Sequence, residues 1–256
     1  LTQPSGLTAN ITAKALTISG IAISNKEYDG NTSATITGTA ALVGDNGDAV
    51  VLETGTASAT FDTKTIGTGK ATTVVGYTLS GADKDNYTLT QPSGLTADIT
   101  AKALTISGIA ISNKEYDGNT SATITGTAAL VGDNGDDVVL VTTSASATFD
   151  TKTIGTGKAT TVVGYTLSGA DKDNYTLTQP SGLTADITAK ALTISGIAIS
   201  NKEYDGNTSA TITGTAALVG DNGDDVVLVT TSASATFDTK TIGTGKATTV
   251  VGYTLS

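Results

Sequence analysis

Leu1-Thr2-Gln3-Pro4-Ser5-Gly6 returns as Leu89-Thr90-Gln91-Pro92-Ser93-Gly94 and again as Leu177-Thr178-Gln179-Pro180-Ser181-Gly182. The 88-residue spacing holds along the whole chain, because residues 89–168 and 177–256 are identical. Residues 1–88 differ from 89–176 only at Asn10/Asp98, Ala49/Asp137, Glu53/Val141, Gly55/Thr143 and Thr56/Ser144. A fixed long period reports a modular array, which overrides the one or two ordinary domains that 256 residues would suggest. A unit of this size is small but can fold around its own core. Equal repeated units suit a spacer, whereas an enzyme needs one well-built site.

Within a period the apolar residues alternate with polar ones, and no helical spacing appears. In the second period Ala103–Ile111 reads as a strand or a bent strand pair. Lys114–Asn119 reads as a turn, and Ala122–Leu130 as a second strand with Ile124 and Ala128 on one face. Val138–Phe149 reads as one long strand and Ala159–Leu167 as the next, joined through Asp150–Lys158. Gly169–Asn174 turns, and Tyr175–Thr178 and Leu183–Thr188 close the unit around Gln179-Pro180-Ser181-Gly182. About seven short strands with turn signals every 8–12 residues are the habit of an immunoglobulin-like sandwich. Asp83, four positions before Tyr87, fits the spacing of a tyrosine corner. The alternative is that Tyr87 simply starts an amphipathic strand; either role is structural.

Composition removes most catalytic chemistry. There is no Cys and no His, so no thiol nucleophile, no common base near neutral pH and no ordinary zinc site is expected. All 14 basic residues are Lys, so no bidentate arginine clamp for phosphate exists. A net charge of −10 argues against nucleic acid and anionic membranes as partners. No apolar run approaches the roughly 20 residues of a membrane helix.

The period boundary, Thr96-Ala97-Asp98-Ile99-Thr100-Ala101-Lys102-Ala103-Leu104, contains no Gly or Pro and alternates straight through. A flexible linker would be rich in Gly, Ser or Pro. The expectation is therefore an all-β, rod-like tandem array of immunoglobulin-like β-sandwich units, each spanning roughly 40 Å at 3.3 Å per strand residue. Residues 1–14 read as the closing strands of a preceding unit, 15–102 and 103–190 as β-sandwich repeats, and 191–256 as a repeat lacking its closing strands. Two expectations follow from these ends: either Leu1–Lys14 completes the last unit of a neighbouring copy, or the sequence is a window on one longer array.

Three segments carry a family resemblance: Asn113–Ala122 with its Tyr116-Asp117-Gly118, Gly169–Leu177, and Leu183–Thr188. Together they resemble the YDG-type repeat, related to the "mostly beta with glycine" (MBG) repeats. The triplet recurs as Tyr28-Asp29-Gly30 and Tyr204-Asp205-Gly206, so the likeness covers the chain. Such repeats stand in tandem in very large bacterial surface and secreted proteins, often adhesins of the filamentous-haemagglutinin kind. The resemblance implies an extracellular, non-catalytic stalk unit whose partners are neighbouring copies or continuing repeats. The alternative function is a multivalent, low-affinity binding module acting by avidity.

Each candidate site also has a plainer structural role. In the triplet, Asp29, Asp117 and Asp205 suit a side-chain turn cap, Gly30, Gly118 and Gly206 a positive φ, and Tyr28 a cover for the sandwich edge. The competing role for Tyr28 is an exposed ring that stacks on a ligand. The acidic loops offer Asp133, Asp136, Asp137 and Asp221, Asp224, Asp225 as possible calcium ligands, against the alternative of a solvated charged loop. The first period has Ala49 where the others have Asp137 and Asp225. Lys26, Lys64 and Lys70 are candidates, by type alone, for a self-formed isopeptide bond. Gly67-Thr68-Gly69-Lys70 lacks the length and following helix of a phosphate loop. The sequons at Asn10, Asn31 and Asn86 and the alternating threonines are ordinary features of a Thr-rich strand surface.

Overall fold

The computed structural model describes residues 1–256. The first period contributes β1 (Lys14–Ile23), β2 (Lys26–Glu27), β3 (Ser33–Ala34), β4 (Ile36–Val43), β5 (Val51–Glu53), β6 (Ser58–Phe61), β7 (Gly67–Val75), β8 (Thr78–Ser80), β9 (Tyr87–Leu89) and β10 (Thr96–Thr100). The second period repeats all ten as β11 (Lys102–Ile111), β12 (Lys114–Glu115), β13 (Ser121–Ala122), β14 (Ile124–Val131), β15 (Val139–Val141), β16 (Ser146–Phe149), β17 (Gly155–Val163), β18 (Thr166–Ser168), β19 (Tyr175–Leu177) and β20 (Thr184–Thr188). The third has β21 (Thr193–Ile199), β22 (Ser209–Ala210), β23 (Ile212–Val219), β24 (Leu228–Val229), β25 (Ser234–Phe237), β26 (Thr248–Val251) and β27 (Thr254–Leu255). The fold is all-β, as the alternation predicts, with two single 3₁₀ turns at Lys84–Asn86 and Lys172–Asn174. No helix is long and apolar enough to cross a membrane.

Each complete period forms a three-stranded sheet, a five-stranded sheet and a two-stranded ribbon, in the orders β4-β1-β9, β2-β10-β7-β6-β3 and β5-β8. Pairing is antiparallel except for β1 with β9 and β2 with β10, which run parallel. Period-two alternation sets what faces in: Ala59 and Phe61 of β6 and Ala97 and Ile99 of β10 are buried, while Thr60 and Asp98 between them face the other way. Ile124 and Ala128 of β14 share the half-buried face, as expected, and Leu130 joins them. Between β10 and β11 stands the single residue Ala101, so successive sheets are joined without a linker.

Two expected long strands are broken, and they break together. Val138–Phe149 divides at the turn in which the Ala145 N–H donates to the Thr142 carbonyl over 3.1 Å. The opposing run divides at Gly164, whose φ of +92° no other residue type adopts readily and where a Cβ would strike the Ser144 carbonyl. β15 therefore pairs with β18, while β16 pairs with β13. Gln179 fixes the bend: its Oε1 accepts from the Tyr165 N–H at 3.2 Å and its Nε2 donates to the Tyr165 carbonyl at 2.8 Å. Gln91 does the same at Tyr77. Alternation cannot show such a break, because the residues on both sides keep the pattern. The tyrosine corner is also corrected. The Tyr87 hydroxyl donates to Asp48 and accepts from the Asn46 N–H, so it anchors the acidic loop and not the backbone just upstream.

The chain divides into two compact units. One comprises Leu1–Ile109, Thr127–Ala145 and Val163–Pro180; the other comprises Ala110–Gly126, Ser146–Val162 and Ser181–Ser256. Neither coincides with a sequence period. The first unit holds the whole first period together with β15, β18, β19 and most of β11 and β14. Its core joins Ile23, Tyr28, Phe61, Val74, Tyr77 and Ile99 of the first period to Leu104 and Tyr175 of the second. The second unit holds the five-stranded sheet β12-β20-β17-β16-β13 and the third period.

Residues 1–13 carry the closing-strand sequence but form no strand, and Leu1, Leu7 and Ile11 are fully or largely exposed. The third period shows the complementary effect. It has no counterpart of β20, so the equivalents of β12 and of the first half of β17 lose their ladder and are no longer strands.

At the bulge where β1 crosses β4, Ser19 pairs with Ala41 and Ile21 with Gly38. Gly20 and Gly38 both have positive φ, and a Cβ on either would run into a carbonyl of the other strand. Gly47 also has a positive φ but faces open space. We expect Gly38→Ala to lower the urea midpoint by an amount equivalent to more than about 2 kcal/mol, and Gly47→Ala to cost about 1 kcal/mol from its left-handed backbone alone. Equal effects would show that the close strand crossing does not matter.

Candidate functional site, the joint between repeats

The Tyr-Asp-Gly turn is built from local bonds. The Asp29 Oδ1 accepts from the Asn31 N–H at 3.2 Å and from the Lys26 ammonium at 2.7 Å. Asn31 Oδ1 in turn accepts from the Ser33 N–H at 2.8 Å. Gly30 turns the chain at φ +80°. The same set recurs at Asp117-Gly118 and Asp205-Gly206. The Lys26 ammonium also lies 5.5 Å from the centre of the buried Phe61 ring, so its stem covers that ring. The Asp and Gly of the triplet have the turn roles that their residue types suggest.

Tyr28 goes further than the sandwich edge. It is 1% exposed, and its hydroxyl donates over 2.9 Å to Asp136 of the next repeat. The same Asp136 oxygen accepts from Tyr175 at 2.6 Å. The other oxygen takes the Lys64 ammonium at 3.1 Å. The two tyrosine rings meet edge to face, 5.2 Å between centres. Lys64 also stands 3.7 Å from Asp171, and Asn174 Oδ1 accepts from the Ile66 N–H at 3.1 Å. Asn174 is the one buried polar side chain of the molecule, while its first-period counterpart Asn86 is exposed. All these residues belong to the first compact unit. They make one bonded contact between successive repeats.

Electrostatics follow from this geometry. Tyr175 donation, assisted by Tyr28 and Lys64, holds the Asp136 carboxyl below the usual carboxylate range against the burial that opposes it. Burial, and then the Asp136 carboxylate, push Tyr175 up to about 12. Burial and Asp136 also raise Tyr28. Lys64 is held charged well above its ordinary range by Asp136 and Tyr28.

The next joint lies within the second unit and is less complete. Lys152 donates to Asp224 at 3.0 Å and Asn222 Nδ2 to the Tyr116 carbonyl at 3.4 Å, while the Asp224 Oδ2 is buried without a partner. Tyr116 is half-buried, and Tyr204 is 64% exposed.

The calcium candidates are not brought together. No group of three or more acidic side chains stands at a spacing that could hold a metal ion. Asp136 spends both oxygens on Tyr28, Tyr175 and Lys64, and Asp137 accepts from the Ala170 N–H. Asp133 and Asp225 are exposed, and the Asp221 carbonyl accepts from the Asp224 N–H. Of the lysines considered for an isopeptide bond, Lys26 serves the turn, Lys64 the joint, and Lys70 pairs with Asp62 at 3.2 Å.

Sequence reasoning missed Tyr175, Asn174 and Lys64 as joint residues, since Tyr28 and Asp136 lie 108 residues apart. One signal was present. The acidic loop keeps Asp48, Asp136 and Asp224 in all three copies, while the neighbouring position is Ala49 in one.

The copies supply internal controls. Tyr28→Phe should cost about 1.5–3 kcal/mol, the worth of a hydrogen bond to a charged group, whereas Tyr204→Phe should leave the denaturant midpoint unchanged. Asp136 is depressed, so its contribution is present above the unfolded carboxylate value of about 4 and fades as pH falls. Tyr175 is raised, so its contribution is intact below the unfolded tyrosine value of about 10 and is lost as pH rises towards about 12. Melting temperature against pH should therefore fall at both ends, and Asp136→Asn should flatten both limbs. Ultraviolet titration in which all tyrosines ionise together near pH 10 would contradict the joint.

A family profile described as the YDG domain matches residues 12–94, 100–182 and 188–256. Searches of curated proteins and of solved structures gave no significant match. The matched segments cover most of the chain, and each full copy contains the turn, the acidic loop and the tyrosines that build the joint. The chain belongs to the YDG domain family, present as three tandem copies.

Proposed function

We propose that this chain is a structural spacer: a run of stacked repeats in the stalk or fibre body of a bacterial extracellular adhesin or surface filament, with no catalytic role. The observation that carries this reading is the joint. Tyr28, the residue a ligand-binding repeat would expose, is buried against Asp136 and Tyr175 of the following repeat. Most of the other aromatic rings are also spent on cores, among them Phe61, Tyr77, Phe149 and Tyr165. The one-residue passage at Ala101 adds to this, since load passes from strand to strand without slack. The acidic surface keeps such arrays soluble and apart from one another.

The bacterial and extracellular setting rests on the resemblance to tandem repeats of large surface proteins. An absence of Cys fits a unit held by hydrogen bonds and packing in any redox setting.

Small-angle scattering on chains of two, three and four periods tests the mechanical reading. A spacer gives a maximum dimension that grows by an equal step per period. A step that shrinks with length, or a broad spread of interdomain angles, would remove the spacer function.

A further inference from the structure

The chain enters the first repeat through Lys14–Glu27, which holds β1 and β2, and leaves it through Tyr87–Thr100, which holds β9 and β10. These two segments run parallel and are paired at both ends. Lys14 pairs with Tyr87 and Leu16 with Leu89, while Lys26 pairs with Ile99 and Glu27 with Thr100. The pairs lie in different sheets, yet all keep one offset of 73 residues. The Asn25 side chain keeps the same offset, since its Oδ1 accepts from the Asp98 N–H at 2.7 Å. The second repeat has the same pattern. Lys102 pairs with Tyr175 and Leu104 with Leu177, Lys114 with Ile187 and Glu115 with Thr188, and the Asn113 Oδ1 accepts from the Asp186 N–H at 2.8 Å.

This register decides how a repeat meets a pull along the chain. The pull enters at the start of one segment, beside Tyr87, and leaves at the end of the other, beside Glu27. Tension therefore draws two parallel segments in opposite directions along their own length. Ladder bonds run from strand to strand, across such a pull, so they are strained together instead of opening one after another. Each segment is also held from its other side, β1 by β4 and β10 by β7. A slip by one residue would turn the inward side chains to the outer face. Leu16, Ile23, Tyr87 and Ile99 are all buried, and Leu16 is 0% exposed, so sliding must first empty the core. Ala101 alone separates this exit from the next entry strand.

We propose that the paired entry and exit segments are a shear clasp, through which a complete repeat resists tension along the chain as well as holding distance. The clasp adds a second function to the spacer and rests on that reading for its use in an array. Its failure is separable, because repeats can stack in line and keep distance whether or not each one withstands a pull.

The test is single-molecule force spectroscopy on the intact 256-residue chain, which has no Cys, so two introduced cysteines set the direction of pull. Ala13→Cys with Ala101→Cys pulls the clasp in shear. Thr17→Cys with Val43→Cys, an exposed pair at one end of the β1–β4 ladder, peels that ladder from its end. The shear pair should rupture in one step at a force about twofold or more above the peeling pair, since forced unfolding reports the unfolding barrier. Asn25→Ala removes the acceptor of the Asp98 N–H from an exposed position. It should lower the shear force and leave the peeling force unchanged, which also shows that the variant is folded. The proposal is overturned if the two directions rupture at equal force, if peeling is the stronger, or if Asn25→Ala leaves the shear force as it was. Weak shear together with equal scattering steps per period would sink the clasp and leave the spacer standing.

Discussion

A buried tyrosine hydroxyl must find an acceptor, and a half-buried carboxylate must find donors and a countercharge. At the joint each need meets the other. Asp136 satisfies the hydroxyls of Tyr28 and Tyr175, and Lys64 balances its charge. Without that carboxylate, the hydroxyls of Tyr28 and Tyr175 would lose the acceptor they share. The core that joins Ile99 to Leu104 and Tyr175 includes the Tyr28 ring. The compact unit is consequently centred on a joint and not on a sequence period.

Three nearly identical sequences in three settings separate local from long-range causes. The Asp-Gly turn with its lysine clamp is the same in all copies, because its partners lie within seven residues. The triplet tyrosine is not: Tyr28 is 1% exposed, and Tyr204 is 64% exposed. Strand formation behaves as the tyrosine does. Lys114–Glu115 is a strand beside β20, while Lys202–Glu203, identical in sequence, is not a strand. Two-residue strands have little stability of their own, and the ladder to a neighbour decides whether they exist.

Much of this was legible beforehand. Period-two alternation located the main strands, though not the short strand Lys114–Glu115, which reads as a turn, nor the start of the strand at Gly155, and the lack of Gly and Pro at the boundary pointed to the tight passage through Ala101. The breaks at Thr142–Ala145 and Gly164 were hidden, since a bend of two paired strands leaves each strand's alternation intact. The acidic loop looked like a metal site because clustered carboxylates invite a cation. Asp136 instead accepts hydrogen bonds from tyrosines of two repeats, one of them across 108 residues, which no local pattern encodes.

The sequence by itself determined that the molecule is modular, all-β and poor in catalytic side chains. It also determined the turns, since side-chain caps and left-handed glycines act within a few residues. Only the tertiary structure decided what the repeats do to one another. Whether Tyr28 is a surface ring or a buried anchor, and whether Asp136 is a free charge or a bonded one, depends on which groups another repeat brings within hydrogen-bond reach. Burial and hydrogen-bond partners are properties of space, so the same residues carry them in one copy and lack them in the next.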